Sequence, residues 1–191
     1  ILSFQNIRKP DVLNKLLTGL ALQLGQEVSY NELSQLIGVD KATVEKYIEL
    51  LEKCFVVFRL SSFSRNLRNE LKRTRKVFFY DNGVRNAILN NFAPLSLRQD
   101  VGALWENFMV SERVKQNSYN RDFRKIYFWR TQTQQEIDLL EEKDGVLYAF
   151  EFKWNPKKHA NIPKSFADAY PEHRFEVITS GNYVDLLIRE Q

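Results

Sequence analysis

The sequence predicts a mixed α/β chain in two parts, and three observations predict it. The first 55 residues carry apolar side chains at helical spacing, punctuated by Gly38 and by Ser29 and Asp40 at cap positions. Two short β-branched and aromatic runs follow, separated by a basic stretch. Beyond residue 100 the order reads helix, three strands, helix, strand, with Asp144-Gly145 between the second and third strands.

The elements can be justified in order. DVLNKLLTGLALQL, residues 11–24, places Val12, Leu16, Leu17, Leu20 and Leu24 on one helical face, and Gly25 ends the run. Ser29 caps a short helix with Leu33, Leu36 and Ile37 on one face. After the Gly38 turn, Asp40 caps a helix carrying Val44, Tyr47, Ile48, Leu51 and Phe55. Three helices, the last two joined by a tight turn, form the helix-turn-helix pattern. VVFRL and KVFFYD read as the two strands of a wing around SSFSRNLRNELKRTR, so residues 11–80 resemble a winged helix. A short helix, GVRNAIL, precedes NNFAPLSLRQD, whose Pro, Asn and Ser mark the best domain boundary. The second part then runs VGALWENFMVSERVKQ (helix), KIYFWRT, QEIDLLEE and VLYAFEFKW (strands), PKSFADAY (helix), RFEVITS (strand) and YVDLLIRE (helix). The step from VLYAFEFKW through a helix to RFEVITS has the length of a right-handed parallel crossover.

Composition narrows the function classes. A hydrophobic fraction of 43% in 191 residues is enough for packed cores, and no apolar run reaches the roughly 18–20 residues of a membrane span. The chain starts at Ile1 with neither an initiator Met nor a signal-peptide pattern, so a fragment or processed product is expected. Cys54 has no disulfide partner and reads as a buried core thiol; with His159 and His173 far apart, a zinc site is excluded. A cytoplasmic setting is expected. The net charge of +4 is unevenly placed: Arg59–Lys76 holds seven basic residues against Glu70 alone, a local +6 that leaves −2 elsewhere. Arg65, Arg68, Lys72 and Arg73 of this stretch could follow phosphates, and Lys41, Thr43 and Lys46 could form a modest reading face on the second helix of the turn motif. A protein-docking wing is the other reading. Lys157 and Lys158 read as solubilising residues, with the extension of a phosphate-binding surface past Lys153 as the other reading.

The two-residue turn at Asp144-Gly145 fixes a register in which Lys143 faces Val146 and Asp138 faces Glu151, with Glu136 opposite Lys153. Ile137, Leu139, Phe150 and Phe152 then share a core face, and Glu136, Asp138, Leu140, Ala149, Glu151 and Lys153 share the other. Two carboxylates about 5 Å apart repel by roughly 1 kcal/mol in water and about 3 kcal/mol at an effective dielectric near 20. A divalent cation reverses that sign, and Lys153 can stabilise developing charge beside it. The alternative is a solvated cross-strand charge ladder with Arg130 joining Glu136.

With E-I-D…E-F-K placed after a helix bearing W-E-N-F, the second part resembles the PD-(D/E)XK nuclease superfamily, whose core is αβββαβ. GALWENFMVSE, IYFWRT…QEIDLLEE and VLYAFEFKW together look like one branch of it, the domain C-terminal to bacterial and archaeal P-loop ATPases of the AAA type. LSQLIGVDKATVEKYIELLEKCFVV and KVFFYDNGVRNAIL are similar to the winged helix of the same family. The fold class expected is therefore mixed α/β, an N-terminal winged helix-turn-helix followed by a restriction-endonuclease-like αβββαβ domain. The expected parts are a connecting segment at 1–10, the winged helix at 11–92 and the nuclease-like domain at 93–191.

The resemblance implies Asp138, Glu151 and Lys153 as catalytic residues, with Asp138, Glu151 and, as an accessory ligand, Glu106 holding Mg²⁺. Glu136 and Arg130, placed nearby by the hairpin reading, are further accessory candidates. Ile137 stands where the superfamily usually has Pro. DNA, the ATPase module of the same protein and a second copy of the chain are the implied partners. A non-catalytic nucleic-acid- or protein-binding regulatory module is the alternative, and a pure assembly domain a third. ATP would act only in the N-terminal ATPase, because none of the seven glycines here is followed by Lys, as a phosphate loop requires.

Overall fold

The computed structural model describes residues 10–65 and 74–188. The chain is mixed α/β and divides into two compact units: Ile1–Arg59 with Thr74–Arg98, and Leu60–Arg73 with Gln99–Gln191.

The first unit is built on α1 (Pro10–Leu22), α2 (Tyr30–Ile37) and α3 (Lys41–Lys53), followed by β1 (Val57–Ser61), β2 (Arg75–Phe79) and α4 (Asn82–Ile88). The predicted caps form. The Ser29 hydroxyl accepts from the Glu32 N–H and the Asp40 carboxylate from the Thr43 N–H, while Gly38 ends α2 at φ 72°, where a Cβ would be strained. Leu16, Leu20, Leu33, Val44, Ile48 and Leu51 are fully buried, as helical spacing requires. β1 and β2 form a two-stranded sheet, and Val28 adds to it by donating its N–H to the Arg75 carbonyl at 2.8 Å.

Three expectations are corrected here. Leu36 and Phe55 are exposed, because each lies at the edge of its helix's apolar stripe and Phe55 turns out of α3 at φ 55°. Cys54 caps the end of α3 and is half-buried rather than a core thiol. Of the four basic residues of the run that are described, Arg65 is exposed, whereas Arg59, Arg75 and Lys76 are engaged or buried. Arg59 grips Glu52 through Nε at 2.9 Å and Nη2 at 2.5 Å, and reaches the Tyr30 hydroxyl at 3.1 Å. Burial works against the Arg59 charge, but those bonds hold its guanidinium above its usual value. Lys76 is buried, and Arg75 lies 4.0 Å from Glu45 and over the Tyr30 ring.

The second unit carries α5 (Val101–Tyr119), β3 (Lys125–Arg130), β4 (Glu136–Lys143), β5 (Val146–Lys153), α6 (Lys164–Ala169), β6 (His173–Thr179) and α7 (Tyr183–Ile188). The sheet order is β3-β4-β5-β6, with β3, β4 and β5 antiparallel and β6 parallel to β5. The hairpin turn has φ 51° at Asp144 and 81° at Gly145, both positive as its two-residue loop demands. The register follows: Lys143 faces Val146 and Leu139 faces Phe150. Residues just after β1 lie on the β3 edge of this sheet. Ser62 bridges Phe128 in parallel, the Phe63 N–H donates to the Phe128 carbonyl at 2.7 Å, and Phe63 packs edge-on against Tyr127 and Tyr170. Covering an edge in this way leaves fewer backbone groups open to stray strand pairing.

The face expected to be polar is polar only at one end. Leu140 and Ala149 are buried in a core with Trp129, Leu147, Phe166 and also Ile137, which was expected on the Leu139 face but packs here because the β3–β4 pairing shifts register between Tyr127 and Trp129. The opposite face is not wholly apolar either, because Glu141, in phase with Leu139, has no solvent exposure. Its two oxygens take Arg113 Nε at 2.8 Å, Arg113 Nη2 at 2.9 Å, Arg124 Nη1 at 2.5 Å and Asn117 Nδ2 at 3.3 Å. Arg124 also donates through Nε to Asp122 at 3.0 Å, and Lys143 reaches the same carboxylate at 3.2 Å. Arg113 donates to the Leu186 carbonyl as well, which ties α7 to α5.

Breaking a buried pair on one side leaves a charge without compensation. Glu141→Gln is therefore expected to cost about 3–5 kcal/mol in urea unfolding. Hydrogen bonds from Arg124 and then Lys143 hold the Asp122 carboxyl at about 2, against its ordinary 3.8. A carboxylate lowered in this way stabilises the fold fully above its unfolded value and loses that contribution on acidification. Acid titration should show stability falling between about pH 4 and pH 2. Asp122→Asn should flatten that part of the curve.

Candidate functional site

Four elements of the second unit bring charged side chains to one end of its sheet. α5 supplies Glu106, β3 Arg130, β4 Glu136 and Asp138, and β5 Glu151 and Lys153. Glu106, Glu136 and Asp138 are half-buried, and each offers a carboxylate oxygen within 4.8 Å of the other two. Glu106 is the sixth residue of α5, past the first turn where a helix dipole favours acids, so the dipole does not account for it.

Asp138 is oriented by backbone. The regular β4–β5 pairing runs from Lys143–Val146 to Leu139–Phe150. Next to its end, Asp138 Oδ2 accepts the Phe152 N–H at 2.8 Å, so a side-chain oxygen takes a donor that a strand carbonyl would otherwise hold. This corrects the expected facing pairs Asp138–Glu151 and Glu136–Lys153, which are not part of the ladder. Asp138 instead meets Glu136 and Glu106. Glu151 turns to Lys153, with Nζ–Oε1 at 2.6 Å. Desolvation pushes the Lys153 ammonium down, but the Glu151 hydrogen bond and the fields of Glu151, Asp138 and Glu106 hold it above its usual value. Arg130 approaches Glu136 at 3.6 Å and donates to Gln134.

The sequence-predicted residues therefore sort by place. Glu106, Glu136 and Asp138 converge, Glu151 and Lys153 form an adjacent ion pair, and Arg130 flanks them. The donor set is hard oxygen, and half-burial makes the mutual repulsion of three carboxylates costly, so it fits a cation such as Mg²⁺ or Mn²⁺ rather than a thiophilic metal. In the first unit, Lys41 and Lys46 are exposed on α3, whereas Thr43 is half-buried and gives its hydroxyl to Asp40 at 2.8 Å. Arg65, in the second unit, lies with its guanidinium 5.1 Å from the centre of the Tyr170 ring. Arg68, Lys72 and Arg73 lie outside the described residues.

Glu136 as a full member of the carboxylate group, and Arg113, Arg124 and Glu141 as the charges beneath the sheet, went unread in the sequence. The signal for Glu141 was present: it shares the two-residue phase of the buried Leu139, and an acid on a core face demands buried cations.

Two family models cover the chain between them. Residues 1–95 match a domain of unknown function (DUF8612), and residues 101–188 match another (DUF4143) that is found in AAA-ATPase-associated proteins. Uncharacterized proteins of Mycobacterium tuberculosis and Mycobacterium bovis are each 28% identical over 195 residues, covering 89% of this chain and 43% of their own length. An uncharacterized protein of Haemophilus influenzae is 26% identical over 166 residues, covering 82% of this chain and 38% of its own. The chain thus spans less than half the length of these relatives. No solved structure matches it.

Asp138→Asn keeps an acceptor for the Phe152 N–H while removing one of three converging charges. Its melting temperature in EDTA should equal or slightly exceed that of the wild type. Asp138→Ala strands the N–H and should lose about 1–3 kcal/mol. An Asn variant as unstable as the Ala variant would mean that repulsion is not a feature of this site.

Proposed function

We propose that this chain is the C-terminal region of an AAA-type ATPase, with a DNA-contacting winged helix as its first unit and a PD-(D/E)XK-type domain as its second. In this reading the second unit cleaves phosphodiesters with Mg²⁺. Glu106, Glu136 and Asp138 would hold the ion, with Glu151 and Lys153 beside it. The observation that carries the reading is the convergence of three half-buried carboxylates next to a lysine kept charged by Glu151. The α-β-β-β-α-β order of the second unit and the occurrence of its matched domain in AAA-ATPase-associated proteins support it.

A bound divalent cation would neutralise the carboxylates, polarise a phosphate oxygen and lower the pKa of a water. The chain's own contribution follows from its geometry. The Phe152 N–H fixes the Asp138 carboxylate, so one ligand is pre-aimed. Lys153 remains an ammonium and can face the charge that builds on a phosphate as a bond to it forms. Glu151 holds that ammonium in place.

One observation favours a second, non-catalytic reading. Lys153 is already bonded to Glu151, and Arg130 approaches Glu136, so part of the charge is balanced within the chain. Under that reading the same surface only grips nucleic acid or a partner.

Calorimetric titration with Mg²⁺ and Mn²⁺, wild type beside Asp138→Asn, decides between them. Binding in the wild type, lost in the variant and followed by Mg²⁺-dependent cleavage of DNA that Lys153→Met abolishes, is expected. An absence of binding, with or without a DNA oligonucleotide present, would reject the nuclease reading and leave the binding module. For the first unit, Lys41→Glu with Lys46→Glu should weaken DNA binding and flatten the log–log salt dependence by roughly 0.9 per lysine. An unchanged slope would remove α3 from the interface.

A further inference from the structure

An aromatic cluster adjoins the charged residues, and neither the ion pairs nor the sheet core require it. Trp105 precedes Glu106 on α5, and Trp154 follows Lys153 at the end of β5. Their rings meet edge-to-face with centroids 5.3 Å apart. Tyr183, the first residue of α7, meets Trp105 edge-to-face at 5.3 Å and Phe108 at 6.0 Å. The cluster therefore gathers α5, α7 and the carboxyl end of β5, where open sheets with parallel strands commonly place ligands.

The two tryptophans are differently placed. Trp105 is 6% exposed, and its indole Nε1 is buried without a hydrogen-bond partner. Trp154 keeps 42% of its surface exposed, unusual for an indole already braced on one side by another. Its surroundings are basic and ordered. The Asn155 side chain accepts the Lys157 N–H at 2.9 Å, and its carbonyl accepts the Lys158 N–H at 3.0 Å, forming a tight turn that presents two exposed lysines. Between β6 and α7, Asn182 orders the turn, accepting the Thr179 N–H at 2.6 Å and donating to the Val177 carbonyl at 3.1 Å.

A braced, half-exposed indole that follows Lys153 directly and precedes the exposed Lys157 and Lys158 by a few residues fits an unpaired base on a charged backbone. From this we infer that Trp154 is a stacking platform for an unpaired base, and that the strand entering the carboxylate site is single-stranded DNA. Base–aromatic stacking needs a free base face, which a duplex interior does not offer, whereas Lys157, Lys158 and Lys153 can follow the phosphates of a strand whose base rests on Trp154. The inference rests on the proposed nucleic-acid reading of the same site and names its substrate class.

The test uses the whole 191-residue chain in EDTA, where binding is read without cleavage or metal. Fluorescence anisotropy of a labelled oligothymidine of about 12 nucleotides, with unlabelled duplex of equal length as competitor, gives the affinity. Tight binding that duplex displaces poorly is expected. Trp154→Ala should weaken it by roughly 5- to 150-fold, and Trp154→Phe by much less. Trp154→Leu keeps apolar bulk against Trp105 but has no π face, so it should behave like the Ala variant while melting like the wild type. Wild-type affinity in the Leu variant, or equal competition by duplex, would overturn the inference. Metal titration of the same Leu variant separates the readings: intact metal binding beside an overturned stacking result leaves the metal-site proposal standing, and stacking without metal binding does the reverse.

Discussion

The geometry of the second unit depends on one buried ion pair. Arg113 and Glu141 meet side-on through two hydrogen bonds, at 2.8 and 2.9 Å, with no solvent around the carboxylate. The pair locks α5 to β4 in rotation and in position along the strand. Glu106 lies seven residues before Arg113, two turns back on the same face of α5, and Asp138 lies three residues before Glu141 on β4. Fixing Arg113 on Glu141 therefore fixes how Glu106 approaches Asp138 and Glu136. A purely apolar contact would stabilise as well or better, since buried pairs cost much of what they gain in desolvation. It would not set position as narrowly, because dispersion contacts tolerate sliding and a bidentate carboxylate does not.

The charge distribution of this unit is organised around that constraint. At the buried end, Arg124, Asn117, Asp122 and Lys143 complete the network, and its cations and anions largely cancel. At the other end, Glu106, Glu136, Asp138 and Glu151 stand against Lys153 and Arg130, and the balance is negative. The sheet separates the two: Leu139 is fully buried between Asp138 and Glu141, so the ends are insulated by core. The carboxylates of this strand thus divide between a buried, neutralised network at Glu141 and a half-buried cluster at Glu136 and Asp138. The end of regular β4–β5 pairing near Asp138 marks the transition between them.

The first unit is stabilised differently. Its helices are set by capping and apolar spacing, and its main ion pair, Arg59 with Glu52, joins the start of the sheet to the helix before it. That pair has a consequence for charge. A run that counts +6 in sequence contributes far less to the surface where it is described, because Arg59 and Lys76 are occupied or buried and Arg75 is shared between Glu45 and Tyr30. Local charge density in a sequence is an upper bound on the field a partner would meet.

Much of the fold was legible in the sequence, for local reasons. Gly38, Ser29 and Asp40 bounded α2 and α3 through φ and capping, and Asp144-Gly145 fixed the hairpin register through positive φ, all within a few residues. The sequence by itself also determined that charged residues would crowd one end of β4 and β5, because they follow one another in the chain there, but strict alternation does not hold through that end, where Ile137 packs with Leu140 beside a register shift. Only the tertiary structure decided which of them meet. Pairing by register alone put Asp138 against Glu151. The folded chain instead gives Asp138 the Phe152 N–H and brings in Glu106 from a helix earlier in the chain, while Glu151 takes Lys153. Likewise, no local rule paired Glu141 with Arg113, 28 residues earlier. Backbone conformation is set by neighbours in the chain, but the partner of a charge is set by whatever desolvates it, and in this protein that is packing between elements distant in sequence.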